Sequence, residues 1–177
     1  MIFHETPLAG AFVVEMEPHA DNRGFFVRAW CRREFAERGL VADLAQANVS
    51  FNPAAHTLRG LHWQAAPHGE AILVRCTRGS LYDVIVDLGE GSGRWFGVEL
   101  SADNRLALYI PEGMAHGFQT LEDDTEVLYQ MSEFHHPESA RGVRWNDPEI
   151  GIAWPPAPKR IVSRRDNALP FLGEGPC

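Results

Sequence analysis

Four groups of side chains in this sequence could carry chemistry. The first is His62, set in Leu58-Arg59-Gly60-Leu61-His62-Trp63-Gln64. Aliphatic and aromatic neighbours can move an imidazole pKa and leave it neutral, as a base requires. A hydrogen-bonded core histidine fits the same setting. The second is Pro111-Glu112-Gly113-Met114-Ala115-His116-Gly117-Phe118, in which a Pro/Gly turn delivers His116 to the start of a strand. A histidine there can bind a metal or a polar ligand. The third is Tyr129, in Val127-Leu128-Tyr129-Gln130-Met131. A tyrosine facing a lumen can act as a general acid, whereas one with its hydroxyl at the surface does nothing. The fourth is basic: Arg23, Arg28, Arg59 and Arg75. Guanidinium groups bind phosphate bidentately, although spread arginines are commonly just surface residues.

These groups must be held by strands. Val13–Met16, Gly24–Trp30, Leu58–Gln64, Ile72–Thr77, Leu81–Leu88, Trp95–Leu100, Ala107–Ile110, Gly117–Leu121 and Glu126–Met131 read as short strands. Glu17–Arg23 reads as a loop between the first two. The turn signals are Arg78-Gly79, Gly89-Glu90-Gly91-Ser92-Gly93, Ala102-Asp103-Asn104 and Glu122-Asp123-Asp124. Arg32–Arg38 has a helical pattern ended by Gly39, and the Pro-rich tail from His136 reads as irregular, with room for a small helix. Regular short strands with polar turns predict an all-β sandwich or barrel. Alternation puts Gly60, His62 and Gln64 on one face, Val127, Tyr129 and Met131 on one face, and Asp83 and Asp87 beside Leu81 and Ile85. Whether the polar members face solvent or a lumen, alternation alone does not decide.

The chain of 177 residues suits one domain, spanning 1–177, with a sizeable core. Its 24 acidic and 16 basic residues give a net charge of −8, and no Lys/Arg-rich run occurs. This argues against a nucleic-acid partner, while a few arginines can still line an anion pocket. Cys31, Cys76 and Cys177 are odd in number and scattered, which fits neither a disulfide framework nor a CxxC metal motif. The N-terminus has no signal-peptide pattern and no apolar run reaches membrane-spanning length. The expectation is a cytoplasmic protein with no membrane partner.

Taken together, the segments resemble the dTDP-4-dehydrorhamnose 3,5-epimerase family along nearly the whole chain, from Phe3-His4-Glu5-Thr6 to Ser163–Pro170. The most specific pieces are Asp21-Asn22-Arg23-Gly24-Phe25-Phe26, Leu58–Gln64, Ile110–Phe118, Trp145-Asn146-Asp147 and Trp154-Pro155. The resemblance implies a double-stranded β-helix (cupin-like jelly-roll) barrel with short helices, dimeric and free of metal and other cofactors. It implies a nucleotide-linked 4-keto-6-deoxyhexose as substrate, inverted at C3, C5 or both through an enolate. Residue by residue, it makes His62 the base, Asp166 the carboxylate paired with that base and Tyr129 the acid on the opposite ring face. It makes Arg59 and Arg23 phosphate and sugar contacts, Gln46 and Asn48 polar groups on the nucleotide side, and Asp83 and His116 buried polar groups near the sugar. An edge strand near the N-terminus fits the implied dimer.

The sequence departs from the family pattern at four positions. Ile72 stands where a lysine usually precedes Leu-Val-Arg, so a cation suited to an enolate oxygen is absent there. Arg28 replaces a frequent acidic residue, Ala47 a frequent aspartate and His135 a frequent tyrosine. The change at 72 leaves a second reading, a nucleotide-sugar-binding homologue with lost or altered catalysis. A third is a metal-dependent cupin oxygenase or isomerase with His62, Gln64, Glu70 and His116 as candidate ligands. Gln64 counts against it, because metal-binding cupins usually carry a second histidine at that place.

Overall fold

The computed structural model describes residues 1–89 and 93–174. The centre of the expected turn at 90–92 and Cys177 lie outside the described residues. Fourteen strands and two short helices follow in order among the described residues: β1 (Ile2–Glu5), β2 (Phe12–Glu15), β3 (His19–Asp21), β4 (Gly24–Phe26), α1 (Arg32–Ala36), β5 (Gln46–Asn52), β6 (Thr57–Gln64), β7 (Ile72–Arg78), β8 (Ser80–Asp87), β9 (Arg94–Ser101), β10 (Ala107–Ile110), β11 (Met114–Thr120), β12 (Thr125–Met131), β13 (Ala140–Gly142), β14 (Ile161–Val162) and α2 (Arg164–Asn167).

Two sheets face each other in the jelly-roll arrangement. One runs β1-β2-β10-β7-β12-β5, the other β13-β6-β11-β8-β9 with β14 added parallel to β6. Leu81, Ile85, Leu100, Leu108, Ile110, Phe118, Val74 and Val127 fill the space between them. Each such fully buried side chain contributes about 1.5–3 kcal/mol. Both outer faces are partly covered as well, with Val49 and Phe51 of β5 left exposed. Phe35 of α1 packs with Leu73, Ala107 and Tyr109 on the first sheet. Val143, Ile150, Trp154 and Leu172 of the tail cover Leu61, Val84 and Val86 on the second. β8 is therefore buried on both sides, which is why its sequence is a continuous apolar run broken by Asp83.

The nine expected strands are present with ends moved by a few residues, except that Gly24–Trp30 pairs only as far as Phe26. Within the expected loop, His19–Asp21 forms a hairpin with β4. The helix stops at Ala36, two residues short, and Gly39 (φ 70°) follows the turn. β5, β13 and β14 were not read as strands from pattern. β13 and β14 are only three and two residues long, too short for a pattern; β5 does alternate, but in the inverse sense, with Val49 and Phe51 exposed while Gln46, Asn48 and Ser50 line the cavity.

One irregularity matters for the cleft. On β11, His116 pairs with His62 and Phe118 with Arg59, so two steps on β11 oppose three on β6. This bulge inverts the alternation between Arg59 and His62 and lets both side chains face the same cavity. Gly117 lies at the crossing, where a Cβ would sit 2.7 Å from the Arg59 carbonyl oxygen and 2.9 Å from Leu61 Cδ2. Gly117→Ala is expected to cost about 1–3 kcal/mol by overpacking, read as a lower urea midpoint; an unchanged midpoint would contradict this close approach.

Candidate active site

The open end of the barrel holds a cavity of about 740 Å³ between the two sheets. Its first wall follows from strand register. Gln46, Met131 and Ile72 form one cross-strand row, and Asn48, Tyr129 and Val74 the next. Polarity thus falls from the β5 edge toward the middle of the sheet. The opposite wall is β6 and β11, with Arg59, His62, His116 and Phe118. His62 and Tyr129 project from opposite walls into one space.

His62 is half-exposed to the cleft, and its Nε2 lies 2.9 Å from Asp166 Oδ1. Asp166 is 4 % exposed. Its Oδ2 accepts from Gly60 N at 3.3 Å, and its own N–H donates to Ser163 Oγ at the start of α2. Burial alone would raise this carboxyl. The His62 hydrogen bond and charge, with the Gly60 and Ser163 contacts, outweigh that and hold it below its ordinary value. An ionised carboxylate only accepts hydrogen bonds. Nε2 therefore carries the proton toward Asp166, and Nδ1 keeps the lone pair a base needs.

Tyr129 lies edge-on to His116, with ring centroids 6.3 Å apart. Its phenol is raised above its ordinary value, chiefly by burial and then by Asp83, while Ser50 and Arg59 pull the other way. It keeps its proton across the neutral range. His116 Nε2 stands 2.6 Å from Asp83 Oδ1, both side chains being buried. Arg59 donates from Nε to Asn52 Oδ1 at 2.8 Å.

Seven of the nine expected site residues are brought to the cavity: Gln46, Asn48, Arg59, His62, His116, Tyr129 and Asp166. Asp83 is fully buried and sits behind His116 rather than on the wall. Arg23 lies on the β3–β4 hairpin, exposed and paired with Asp21, away from this cavity. Arg28 pairs with Glu34. Arg75 is buried outside the cleft, where it donates to the Ala29 carbonyl and holds the segment after β4. Ile72 lines the cleft, and His135 is exposed at its rim. Ser50, Trp63, Arg141 and Arg165 also line it without having been singled out from the sequence. Ser50 had a local signal, since it continues the period-two row Gln46, Asn48, Ser50.

The metal-centre reading fails on geometry. Gln64 is used as a brace: its amide nitrogen donates to the His68 and Phe134 carbonyls, and its oxygen accepts from His136 N. His62 and His116 each turn Nε2 to a separate carboxylate. Among the described residues the potential ligand atoms that do gather within 4.8 Å belong instead to His68, His136 and Glu138. The rings of His68 and His136 are stacked at 3.5 Å with 7° between their planes, so their in-plane lone pairs do not converge.

The sequence profile of the family described as dTDP-4-dehydrorhamnose 3,5-epimerase matches residues 5–174. The chain belongs to this family. A family relative from Methanothermobacter thermautotrophicus, a dTDP-4-dehydrorhamnose 3,5-epimerase, is 42 % identical over 98 % of this chain and 96 % of its own. The crystal structure of the Bacillus anthracis dTDP-4-dehydrorhamnose 3,5-epimerase with TDP and PPi bound superposes with a TM-score of 0.91. It is 38 % identical, covering 97 % of this chain and 99 % of the other. ChmJ, a 3'-monoepimerase from Streptomyces bikiniensis in complex with dTDP-quinovose, gives a TM-score of 0.89. It is 34 % identical, covering 96 % of this chain and 86 % of the other. The chain is thus an isomerase of the epimerase class with the cupin-like fold of its relatives. No helix among its described residues is long and apolar enough to cross a membrane.

The Asp166 shift has a sign that can be checked. A carboxyl lowered in the folded state stabilises above its unfolded pKa of about 3.9, and that stability is lost as pH falls through the lower folded value. Wild type should therefore melt above Asp166→Asn at neutral pH, with the gap closing in scans taken from pH 4 downward. A gap that widens in acid would contradict the assignment.

Proposed function

We propose that the chain epimerises C3, C5 or both of a dTDP-linked 4-keto-6-deoxyhexose, with His62 as base, Asp166 as its orienting partner and Tyr129 as acid. The observation that carries this reading is the placement of a carboxylate-held imidazole and a protonated phenol on opposite walls of one cavity. The C4 ketone acidifies the neighbouring C–H bonds. His62 removes a proton from one ring face, and the electron pair moves onto the carbonyl oxygen. Tyr129 returns a proton to carbon from the other face, inverting the centre. Arg59, Gln46 and Asn48 suit the nucleotide diphosphate end, where a guanidinium and neutral amides meet phosphate and base. Asp83 acts from behind by holding His116 in one orientation.

The substrate class follows the relatives: one structure holds TDP and another dTDP-quinovose. The binder reading and the metal-dependent reading have no observation of this kind behind them. We also propose that the whole chain works as one domain in the cytoplasm and as a homodimer. β1 is an open sheet edge, and Phe25 (50 % exposed) and Phe26 (76 % exposed) stand out on the β3–β4 hairpin beside Arg23. Covering them is a physical reason to pair. Sedimentation should show twice the 19.8 kDa chain mass, and Phe26→Asp should shift it toward the monomer.

Proton NMR of dTDP-4-keto-6-deoxyglucose with the protein in D₂O is the direct test. Loss of the C3 signal, the C5 signal or both, with new stereoisomers, is expected. His62→Ala should abolish exchange, and Tyr129→Phe should leave exchange at the first centre while impairing inversion. Wild-type exchange in His62→Ala would remove His62 as the base, and no exchange by wild-type protein that binds the nucleotide sugar would favour the binder reading.

A further inference from the structure

Glu70 lines the same cavity, and the roles proposed above leave it unused. It lies two residues before Ile72, and both side chains reach the cleft, as strand periodicity requires. Pairing extends past the end of β7 to hold it there. Ala71 N donates to Ser132 Oγ at 2.8 Å, and Ser132 N donates to the Ala71 carbonyl at 3.0 Å. Among the described residues the Glu70 carboxyl has no hydrogen-bond or ion-pair partner. Burial pushes it up to about 6; His116 on β11 pulls it down, and Glu133 after β12 adds to the rise. The other charged or titratable groups around the cavity are Arg59, His62 with Asp166, Tyr129, His135, Arg141 and Arg165, with Asp83 behind His116.

Proton removal beside a ketone moves charge onto the carbonyl oxygen, and a preorganised donor there is a large catalytic contribution. Several donors near the reacting groups are already engaged. His62 Nε2 faces Asp166, His116 Nε2 faces Asp83, the Gln64 amide bridges backbone groups and Arg59 Nε binds Asn52. Ile72 and Met131 have no donor to offer. Resting on the epimerase reading, we propose that Glu70 in its neutral form donates a hydrogen bond to the substrate C4 oxygen and stabilises the enolate. A carboxyl kept neutral by an apolar site can serve as an oxyanion donor in this way. His62 takes the carbon-bound proton, and the electron pair rests on the C4 oxygen against the Glu70 O–H. When Tyr129 protonates carbon, the pair returns to carbon and Glu70 keeps its proton. Solvent then resets His62 and Tyr129. A sugar that displaces water from the cleft favours neutral Glu70 further.

The test compares kcat against pH for wild type, Glu70→Gln and Glu70→Ala, with thermal melting of each. Wild-type kcat is expected to fall as pH rises above about 6. Glu70→Gln, whose amide donates at every pH, should keep kcat within about tenfold and lose that fall. Glu70→Ala should lower kcat by about 10²–10³ with KM little changed. Neither variant should melt below wild type, because each removes an unpaired, partly buried carboxyl; a structural role for Glu70 would predict the reverse. If Glu70→Ala keeps the wild-type kcat and pH profile, or Glu70→Gln is as slow as Glu70→Ala, the donor role is overturned while the epimerase reading stands. Wild-type protein that exchanges no substrate proton in D₂O would remove both.

Discussion

A carboxylate cannot be left buried without partners, and much of the catalytic end of this protein is arranged around that constraint at Asp166. Burial works against its charge, and three groups answer it: the His62 imidazole, the Gly60 amide and the Ser163 hydroxyl. Two of the three belong to β6. The C-terminal tail is thereby bound to the strand that carries His62, and β14 lies parallel to β6 immediately before the Ser163 cap. The same contacts choose the tautomer of His62. Without the tail the imidazole would keep its place in the strand but lose the group that fixes its proton.

The rest of the cleft is a division of labour between two sheets. The first contributes a graded row, polar at the β5 edge and apolar toward β10, so a ligand meets amides at one end and hydrocarbon at the other. The second contributes the titratable groups, and the β6 bulge aims them. Two titratable groups belong to the first sheet's side instead: Tyr129, a phenol raised by burial, and Glu70 just before β7. An imidazole held by a carboxylate and a phenol kept protonated by burial are opposite solutions on facing walls. That opposition matches a reaction which takes a proton on one face and returns it on the other.

The second histidine–carboxylate pair shows that composition alone does not assign a role. Asp83 and His116 repeat the chemistry of Asp166 and His62, but both are buried and Asp83 does not reach the cavity wall. One Asp83 oxygen has no partner among the described residues. His116 reaches the cavity wall but is largely buried, whereas His62 is half-exposed to the cleft. Exposure, rather than residue type, separates the two.

The sequence by itself determined the all-β class, the apolar strands of the core and the two histidine motifs, because alternation and turn chemistry are local and act within a few residues. The motif resemblance pointed to His62, Tyr129 and the distant Asp166, which the fold brings to one cavity, and Ser163-Arg164-Arg165-Asp166 has the spacing of a helix cap. β13 and β14 are too short to show a strand pattern, and the alternation of β5 turns its polar residues to the cavity and leaves its apolar ones exposed, the reverse of an ordinary core strand. Strict alternation would also have set Arg59 against His62, since the inversion between them is a property of the β6–β11 register. Only the tertiary structure decided that Arg23 stands away from its own cleft, that Asp83 stands behind His116 and that Gln64 braces backbone. The reason is common to all three: a side chain's role depends on what faces it across the barrel, and those neighbours come from segments far apart in the chain.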